Sequence, residues 1–160
     1  MPIYNRIRAE GIQSFLDEEG LDPNDPDTTF VFSAHGTPRK YLDEGSRYDQ
    51  YVEEHAAAVA GMLGIESYEI GYQNHANRGI EWTEPETEDV VVGLGDSAER
   101  VIVEPMSFMH EQSETLVELD VDLAEDAAEV GLDLYRVPVP HDDPRFPELL
   151  ADITAPFLSH

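Results

Sequence analysis

The sequence contains no cysteine, which excludes disulfides, a thiolate nucleophile and any cysteine-ligated zinc site or iron–sulfur cluster. A bound metal must therefore have nitrogen and oxygen ligands. The chain also lacks an apolar run long enough to cross a bilayer, and its first six residues do not have the pattern of a secretory signal. We therefore expect a cytoplasmic protein without a membrane span.

Basic residues are scarce as well. Nine lysines and arginines accompany 35 acidic residues, the formal net charge is −26, and Lys40 is the only lysine. A field of this sign repels nucleic acid and anionic membranes, so we expect neither as a partner. The acidic residues alternate with apolar ones along the whole chain, which indicates a folded, carboxylate-rich surface. We favour adaptation to high salt, as in a halophilic organism, over a dedicated cation-binding surface.

Short apolar, β-prone runs alternate with amphipathic helical patterns along the 160 residues. We predict an N-terminal helix and linker over residues 1–27 and a single α/β domain over 28–160. The predicted strands are 28–33, 67–72, 101–106 and 132–137, and the helices that follow them are 48–63, 87–99, 113–130 and 145–157. This alternation is typical of a doubly wound, four-stranded parallel sheet with helices on both faces, a Rossmann-like three-layer sandwich.

Four of the six histidines lie just beyond the predicted strands: His35, His75, His110 and His141. In an open parallel sheet, ligands bind outside the carboxyl ends of the strands, so these imidazoles outline a candidate site. Gly36 follows the first of them in a tight turn that holds His35 at the rim of the sheet, where an imidazole can accept a proton or bind a metal. A histidine in such a loop, taken alone, is more often structural than catalytic.

Glu114, Glu118 and Asp122 are spaced i, i+4 and i+8, which on a helix places them in one acidic row leading away from the third strand. Like charges at this spacing destabilise a helix slightly, and a bound cation relieves the repulsion. In a chain that is acidic throughout, a solvated helix face explains the same pattern. The spacing alone favours that alternative.

The loop after the second predicted strand carries the only tryptophan, Trp82, together with Arg78. Indole stacks on flat aromatic ligands and arginine pairs with carboxylates, so this loop is a candidate binding element. A tryptophan packed on the sheet as part of the core is an equally good interpretation of the residue by itself.

Several blocks, taken in order, resemble the C-terminal half of ferrochelatase, the enzyme that inserts ferrous iron into a porphyrin in haem biosynthesis. The blocks are Phe30 to Pro38, Tyr72-Gln73 with Glu81-Trp82 and Glu84-Pro85, Val103 to Phe108, Ser113 to Asp120, and Asp142 to Phe146. They cover residues 28–157 almost without a break. The resemblance implies a ferrochelatase-type α/β domain and insertion of Fe²⁺ into protoporphyrin or coproporphyrin.

The resemblance also implies roles for the candidate residues. His35 matches the catalytic histidine of the family, as base and metal ligand, and Glu114 matches its catalytic glutamate. Glu118 and Asp122 match a line of acidic metal ligands. Porphyrin insertion removes pyrrole protons and strips water from the metal, which suits an imidazole and carboxylates. The metal is then a substrate, and no tightly bound cofactor is expected. The substrate-binding candidates are Gln73, Arg78, Trp82 and Met106.

Two departures from the family pattern affect what is expected. The family has an Asp-His pair shortly before the catalytic glutamate, where this chain has Glu111-Gln112, with His110 displaced by two positions. The family also has two similar domains around the porphyrin, and this chain corresponds to one. We therefore expect a homodimer, or pairing with a separate N-terminal-type half. The alternatives are a short single-domain cobalt or nickel chelatase and a non-catalytic porphyrin- or metal-binding half-subunit.

Overall fold

The centre of the molecule is a parallel sheet of four strands in the order β2-β1-β3-β4. It is seen in a computed structural model that describes residues 2–75 and 79–158. The strands are β1 (Thr28–His35), β2 (Glu69–Gln73), β3 (Arg100–Pro105) and β4 (Asp133–Arg136). All four predicted strands are present, with bounds shifted by at most two residues.

Helices precede, connect and follow the strands. They are α1 (Pro2–Glu19), α2 (Arg39–Asp43), α3 (Tyr48–Leu63), α4 (Thr87–Val92), α5 (Ser113–Leu116), a π-helix (Glu118–Leu123), α6 (Ala124–Glu129) and α7 (Phe146–Leu158). The predicted helix 48–63 has the bounds of α3. Within the described part of the chain, no helix combines the length and apolarity that crossing a membrane requires.

The sheet is covered on both faces because β1 is apolar on both faces. Phe30, Phe32 and Ala34 pack with side chains of α1 and α3 in one hydrophobic cluster. Val31 points the other way and packs with Leu119 and other side chains of the π-helix, α4 and α6 in a second cluster. This alternation follows the two-residue period of a strand. The predicted doubly wound, three-layer arrangement is confirmed.

Helix α1 belongs to the same packed unit as the sheet. Ala9, Ile12 and Leu16 lie in the cluster that contains Phe30 and Phe32. The helix that the sequence predicts over the first 27 residues therefore forms one outer wall of the core. The division of the chain at residue 27 stays a prediction.

Two predicted helices are shorter or less regular in the structure. The pattern over 87–99 continues as turns after Val92. In these turns the chain passes so close to Val130 that a Cβ on Gly95 would lie 2.8 Å from the Val130 Cβ. The predicted helix 113–130 consists of α5, the π-helix and α6 in succession. A π-helix adds one residue to each hydrogen-bonded turn, so it changes the direction of the side chains that follow.

Candidate functional site

His35 lies at the carboxyl end of β1, where its neighbour in register is Gln73, the last residue of β2. The chain leaves β1 for β2 on one side and reaches β3 on the other, so a crevice opens at this point of the sheet. The His35 backbone is held on two sides. Its N–H donates to Ser107 Oγ at 2.9 Å, and the Tyr48 hydroxyl donates to its carbonyl at 2.7 Å.

The His35 ring is oriented by the carbonyl of Gly36, which lies 2.7 Å from Nδ1. A carbonyl oxygen only accepts hydrogen bonds, so we assign the proton to Nδ1, which leaves a lone pair on Nε2. Gly36 has no room for a side chain, since a Cβ would collide with the side chain of Asn74. The backbone at this turn thus sets the ring nitrogen that faces the crevice.

His35, His75 and Glu114 offer one ligand atom each, and these atoms all lie within 4.8 Å of one another. The two histidine Nε2 atoms are 3.2 Å apart. Metal–nitrogen bonds of about 2.1 Å across that gap enclose an angle of roughly 100°, between tetrahedral and octahedral values. Two imidazoles and one carboxylate suit a first-row divalent transition metal better than Mg²⁺ or Ca²⁺. His75 is exposed and the other two residues are half-buried.

The Glu114 carboxylate is ionised in this arrangement. The Ser113 hydroxyl donates to its Oε2 at 2.8 Å. That hydrogen bond, a backbone hydrogen bond and the two nearby imidazoles hold the pKa of Glu114 below its ordinary value. A carboxylate of this kind is a better metal ligand than proton acceptor.

Gln73 connects the strand ends to the acidic helical segment. Its buried side chain accepts a hydrogen bond from Ser33 Oγ at 2.9 Å. Its Nε2 donates to the Glu114 carbonyl at 2.8 Å and to Glu118 Oε2 at 3.2 Å. These contacts orient Glu118. Direct binding of a substrate by Gln73 stays a prediction.

A small cavity of about 180 Å³ lies beside Gln73. Five carboxylates line it: Glu86, Glu88, Glu118, Asp122 and Asp126. Burial raises the pKa of Glu88, and the neighbouring carboxylates raise it further, Asp126 most among them. Of the three predicted acidic residues, Glu118 and Asp122 line the cavity, whereas Glu114 belongs to the histidine cluster. The predicted acidic row therefore runs from the histidine cluster to the cavity.

Trp82 comes close to the histidines because its loop pairs with the residues after β1. Pro38 and Trp82 form an antiparallel bridge, and the Thr83 N–H donates to the Thr37 carbonyl at 3.0 Å. The half-buried indole meets the His75 ring edge-on, with centroids 5.5 Å apart. This places an aromatic surface at the crevice. A contact with substrate stays a prediction.

Other predicted residues are placed differently. Met106 is 4% exposed and packs in the cluster beneath the site, so its side chain supports the crevice from below. His110 and His141 are exposed, and among the described residues the cluster of possible metal ligands around His35 includes neither of them. Arg78 lies outside the described residues. The substrate roles predicted for Arg78 and Met106 stay predictions.

Arg136 is a residue of this region that the sequence analysis missed. From the end of β4 it donates to Glu111 Oε1 at 2.8 Å and, with its Nη2, to Asp120 Oδ2 at 2.6 Å. Burial tends to raise the pKa of Glu111, but hydrogen bonds from Arg136 and Thr115 outweigh it and lower that pKa. Gln112 forms a reciprocal capping box with Thr115. The Glu111-Gln112 pair thus anchors the start of α5, which carries Glu114.

Similarity to known proteins was found in sequence. The family model named Ferrochelatase matches residues 1–156. The chain is 30% identical over 154 residues to the ferrochelatase of Geotalea daltonii and 35% identical over 156 residues to that of Nostoc punctiforme. A third ferrochelatase, from Picosynechococcus sp., is 36% identical over 157 residues. Each match covers 95% of this chain but only 47%, 39% and 39% of the relatives, respectively. The chain spans less than half the length of these relatives.

Similarity in structure was found as well. A cobalamin (vitamin B12) biosynthesis CbiX protein from Marinobacter aquaeolei superposes with a TM-score of 0.51 at 19% sequence identity. The match covers 82% of this chain and 98% of that protein. At this identity the likeness concerns the fold.

Proposed function

Since the chain belongs to the ferrochelatase family, we propose that it provides the metal-inserting site of a tetrapyrrole chelatase in haem biosynthesis, with Fe²⁺ and a porphyrin as substrates. The observation that carries the proposal is the convergence of His35, His75 and Glu114 at the crevice, with ligand atoms within 4.8 Å. Three donors from three separate segments, the end of β1, the residues after β2 and the first turn of α5, are suited to hold an ion that must later leave. The open side of the crevice is where the macrocycle binds.

His35, His75 and Glu114 have different roles in the proposed reaction. Insertion exchanges two pyrrole protons for one divalent ion, so two protons must leave the macrocycle. The lone pair on His35 Nε2 first binds the metal together with His75 and Glu114. Transfer of the ion to the macrocycle frees that lone pair, which accepts one pyrrole proton, while the second proton passes to the His75 nitrogen that the ion also vacates. Glu114, with its lowered pKa, acts as ligand and as the charge that stabilises the resulting imidazolium.

Glu118 and Asp122 load the ion before insertion. The cavity they line has a high density of carboxylates, which attract a hydrated cation. Gln73 contacts both Glu118 and the backbone of Glu114, so the cavity adjoins the histidine cluster. An ion therefore exchanges water for carboxylates, and then carboxylates for imidazoles, in short steps.

The porphyrin is expected to lie against the half-buried indole of Trp82, while the buried Phe108 ring packs beside the His35 ring. The Phe108 ring lies 6.3 Å from the His35 ring, and the indole lies beside His75. Arg78, on the same loop as Trp82, is proposed to pair with a carboxylate of the macrocycle. Bending the bound macrocycle to expose its nitrogens requires about 1–5 kcal/mol of binding energy.

Insertion of cobalt or nickel is the second candidate function. Two imidazoles and one carboxylate suit Co²⁺ and Ni²⁺ as well as Fe²⁺. The fold is also that of a cobalamin (vitamin B12) biosynthesis CbiX protein, which favours cobalt as a candidate metal. A panel of the three metals in one assay decides between the candidates.

The proposal is tested by titrating the protein with porphyrin under anaerobic conditions in molar salt, with and without each metal, and recording visible spectra. We expect conversion of the free-base spectrum to that of the metalloporphyrin, with more than one turnover per protein. Binding without turnover would instead identify a carrier.

His35→Ala is expected to lower the rate of insertion by a factor of about 100 or more, since it removes both a ligand and the base. Its melting temperature should stay within a few degrees of the wild type, because a half-buried imidazole at the end of a strand adds little packing. His141→Ala is the matched control, since His141 is exposed and outside the cluster. Turnover by His35→Ala at the wild-type rate would overturn the assignment.

A further inference from the structure

A buried ion pair joins α1 to β3 beneath the site. Arg8 Nη2 lies 2.5 Å from Glu104 Oε1, and the two side chains are 1% and 2% exposed. Glu104 stands in a strand that is otherwise apolar after its first residue. Burying two charges rarely stabilises a fold more than apolar residues of the same size do. Packing alone therefore does not explain this pair.

The pair is also incompletely satisfied. Arg8 Nε and Glu104 Oε2 are buried and have no hydrogen-bond partner among the residues that the structure describes. Unpaired buried polar atoms destabilise a fold. Because the pair is poorly optimised for stability, we look for its role in the other hydrogen bonds that the Arg8 guanidinium donates.

Those donors hold the turn that follows β3. Arg8 Nη2 donates to the Pro105 carbonyl at 2.7 Å, and Nη1 donates to the Phe108 carbonyl at 2.8 Å. One rigid guanidinium thus donates hydrogen bonds to both ends of the turn 105–108. Glu104 keeps the guanidinium in place, since its carboxylate occupies a third position around the same group.

The turn 105–108 also contacts His35. Ser107 Oγ accepts the His35 N–H at 2.9 Å and lies 3.3 Å from the Tyr48 hydroxyl, which donates to the His35 carbonyl. The Phe108 ring stands 6.3 Å from the His35 ring. A continuous set of hydrogen bonds therefore leads from Arg8 through the turn to the backbone of the candidate base.

We propose that Arg8 is a positioning residue for the metal centre: with Glu104 it fixes the turn 105–108, and through Ser107 it sets the position of His35. The inference rests on the proposed function for the role of His35. Arg8 and Glu104 themselves touch neither metal nor porphyrin.

The test separates positioning from stability by choice of variant. The double variant R8M/E104L replaces the ion pair with apolar side chains of similar size, which buried pairs commonly tolerate, but leaves the two carbonyls without donors. R8K keeps a charge beside Glu104 but cannot donate to the Pro105 and Phe108 carbonyls together, as the guanidinium does. R6M is the matched control, because Arg6 lies on the same helix and is exposed.

Binding of Co²⁺ to each full-length variant is measured from the visible absorption of the bound ion, and exchange of the His35 amide is followed by NMR. We expect the affinity of R8M/E104L for Co²⁺ to fall about tenfold, the size typical of lost support behind a metal ligand. Its His35 amide should exchange faster than in the wild type. For R8K we expect a Co²⁺ affinity and a His35 amide exchange rate between those of the wild type and the double variant. For R6M we expect both to match the wild type.

Wild-type affinity and wild-type amide protection in folded R8M/E104L and in R8K would overturn the inference. If the wild-type protein itself binds no Co²⁺, the proposed function fails. The comparison of His35 amide exchange still decides in that case whether Arg8 positions this residue. If the double variant does not fold, R8K supplies both measurements.

Discussion

The carboxylates near the site differ in what surrounds them, and this sets different tasks for single residues. Glu114 lies with the two imidazoles, whereas Glu118 and Asp122 line the neighbouring cavity with three further carboxylates. Under the proposed function, we expect Glu114 to act at the moment of insertion. We expect Glu118 and Asp122 to act while the metal is captured.

Substitutions in the two positions should therefore change different kinetic constants. Glu118→Gln and Asp122→Asn are expected to raise the metal concentration for half-maximal rate about tenfold and leave the maximal rate nearly unchanged. Glu114→Gln should instead lower the maximal rate, by about 10- to 100-fold. Steady-state rates against metal concentration measure both. Glu125→Gln is the control, since Glu125 is exposed on α6. Small, equal effects at all three positions would mean that the row is only a solvated face.

Among the structural elements, the π-helix has the most direct consequence for the site. It lies between α5 and α6 and carries both Glu118 and Asp122. Its buried residues, Leu119 and Leu123, pack in the second cluster while the two acids face the cavity. A π-helix holds one residue more than an α-helical turn and is often found at functional sites.

Deleting Val121, which is 46% exposed, should convert the π-helix to α-helix. The fold should persist, because the apolar residues on either side keep a spacing that suits an α-helix. Glu118 and Asp122 would then be three residues apart and at a wider angle about the helix axis, so their carboxylates would meet less closely in the cavity and the metal concentration for half-maximal rate should rise a few-fold. Val121→Ala is the control, since it removes the side chain but keeps the extra residue. Unchanged metal dependence in the deletion variant, with circular dichroism showing a folded protein, would contradict this role.

For the whole molecule, the net charge of −26 dominates the response to solvent. The charges repel one another in the folded state, and at 1 M salt the screening length falls to about 3 Å. The melting temperature should therefore rise by several degrees or more between 0.1 and 2 M KCl, as followed by circular dichroism.

Tetramethylammonium chloride is the control for this salt effect. Screening depends little on the identity of the cation, so both salts should act alike. Stabilisation by potassium alone would indicate dedicated cation sites in place of screening, and a melting temperature independent of both salts would contradict the prediction.

Assembly is the second property of the whole molecule that the site makes testable. Under the proposed function, we expect the crevice at His35, Trp82 and Glu114 to need a second wall, because a porphyrin bound between two walls excludes water from metal transfer. We expect an active form with twice the mass of one chain, or activity only with a separate N-terminal-type half. Light scattering of the active sample in molar salt measures this. A monomer that turns over porphyrin at full rate would refute the two-wall argument.

The sequence by itself determined the layers of the fold and part of the site. Short apolar, β-prone runs and helical patterns depend on neighbours in the chain, so all four strands and helix α3 could be predicted. The ordered blocks that resemble ferrochelatase identified His35 and Glu114. These signals are local, because each is contained in a short stretch of sequence.

Only the tertiary structure decided which distant residues complete the site. His35 and His75 are 40 positions apart, and Arg8 is 97 positions from Pro105, whose carbonyl it binds. The partners of Arg136 and the division of the helix 113–130 also depend on how the chain packs. Such contacts arise when parallel strands bring their carboxyl ends to one edge of the sheet. The spacing of these residues along the chain does not show that they come together at that edge.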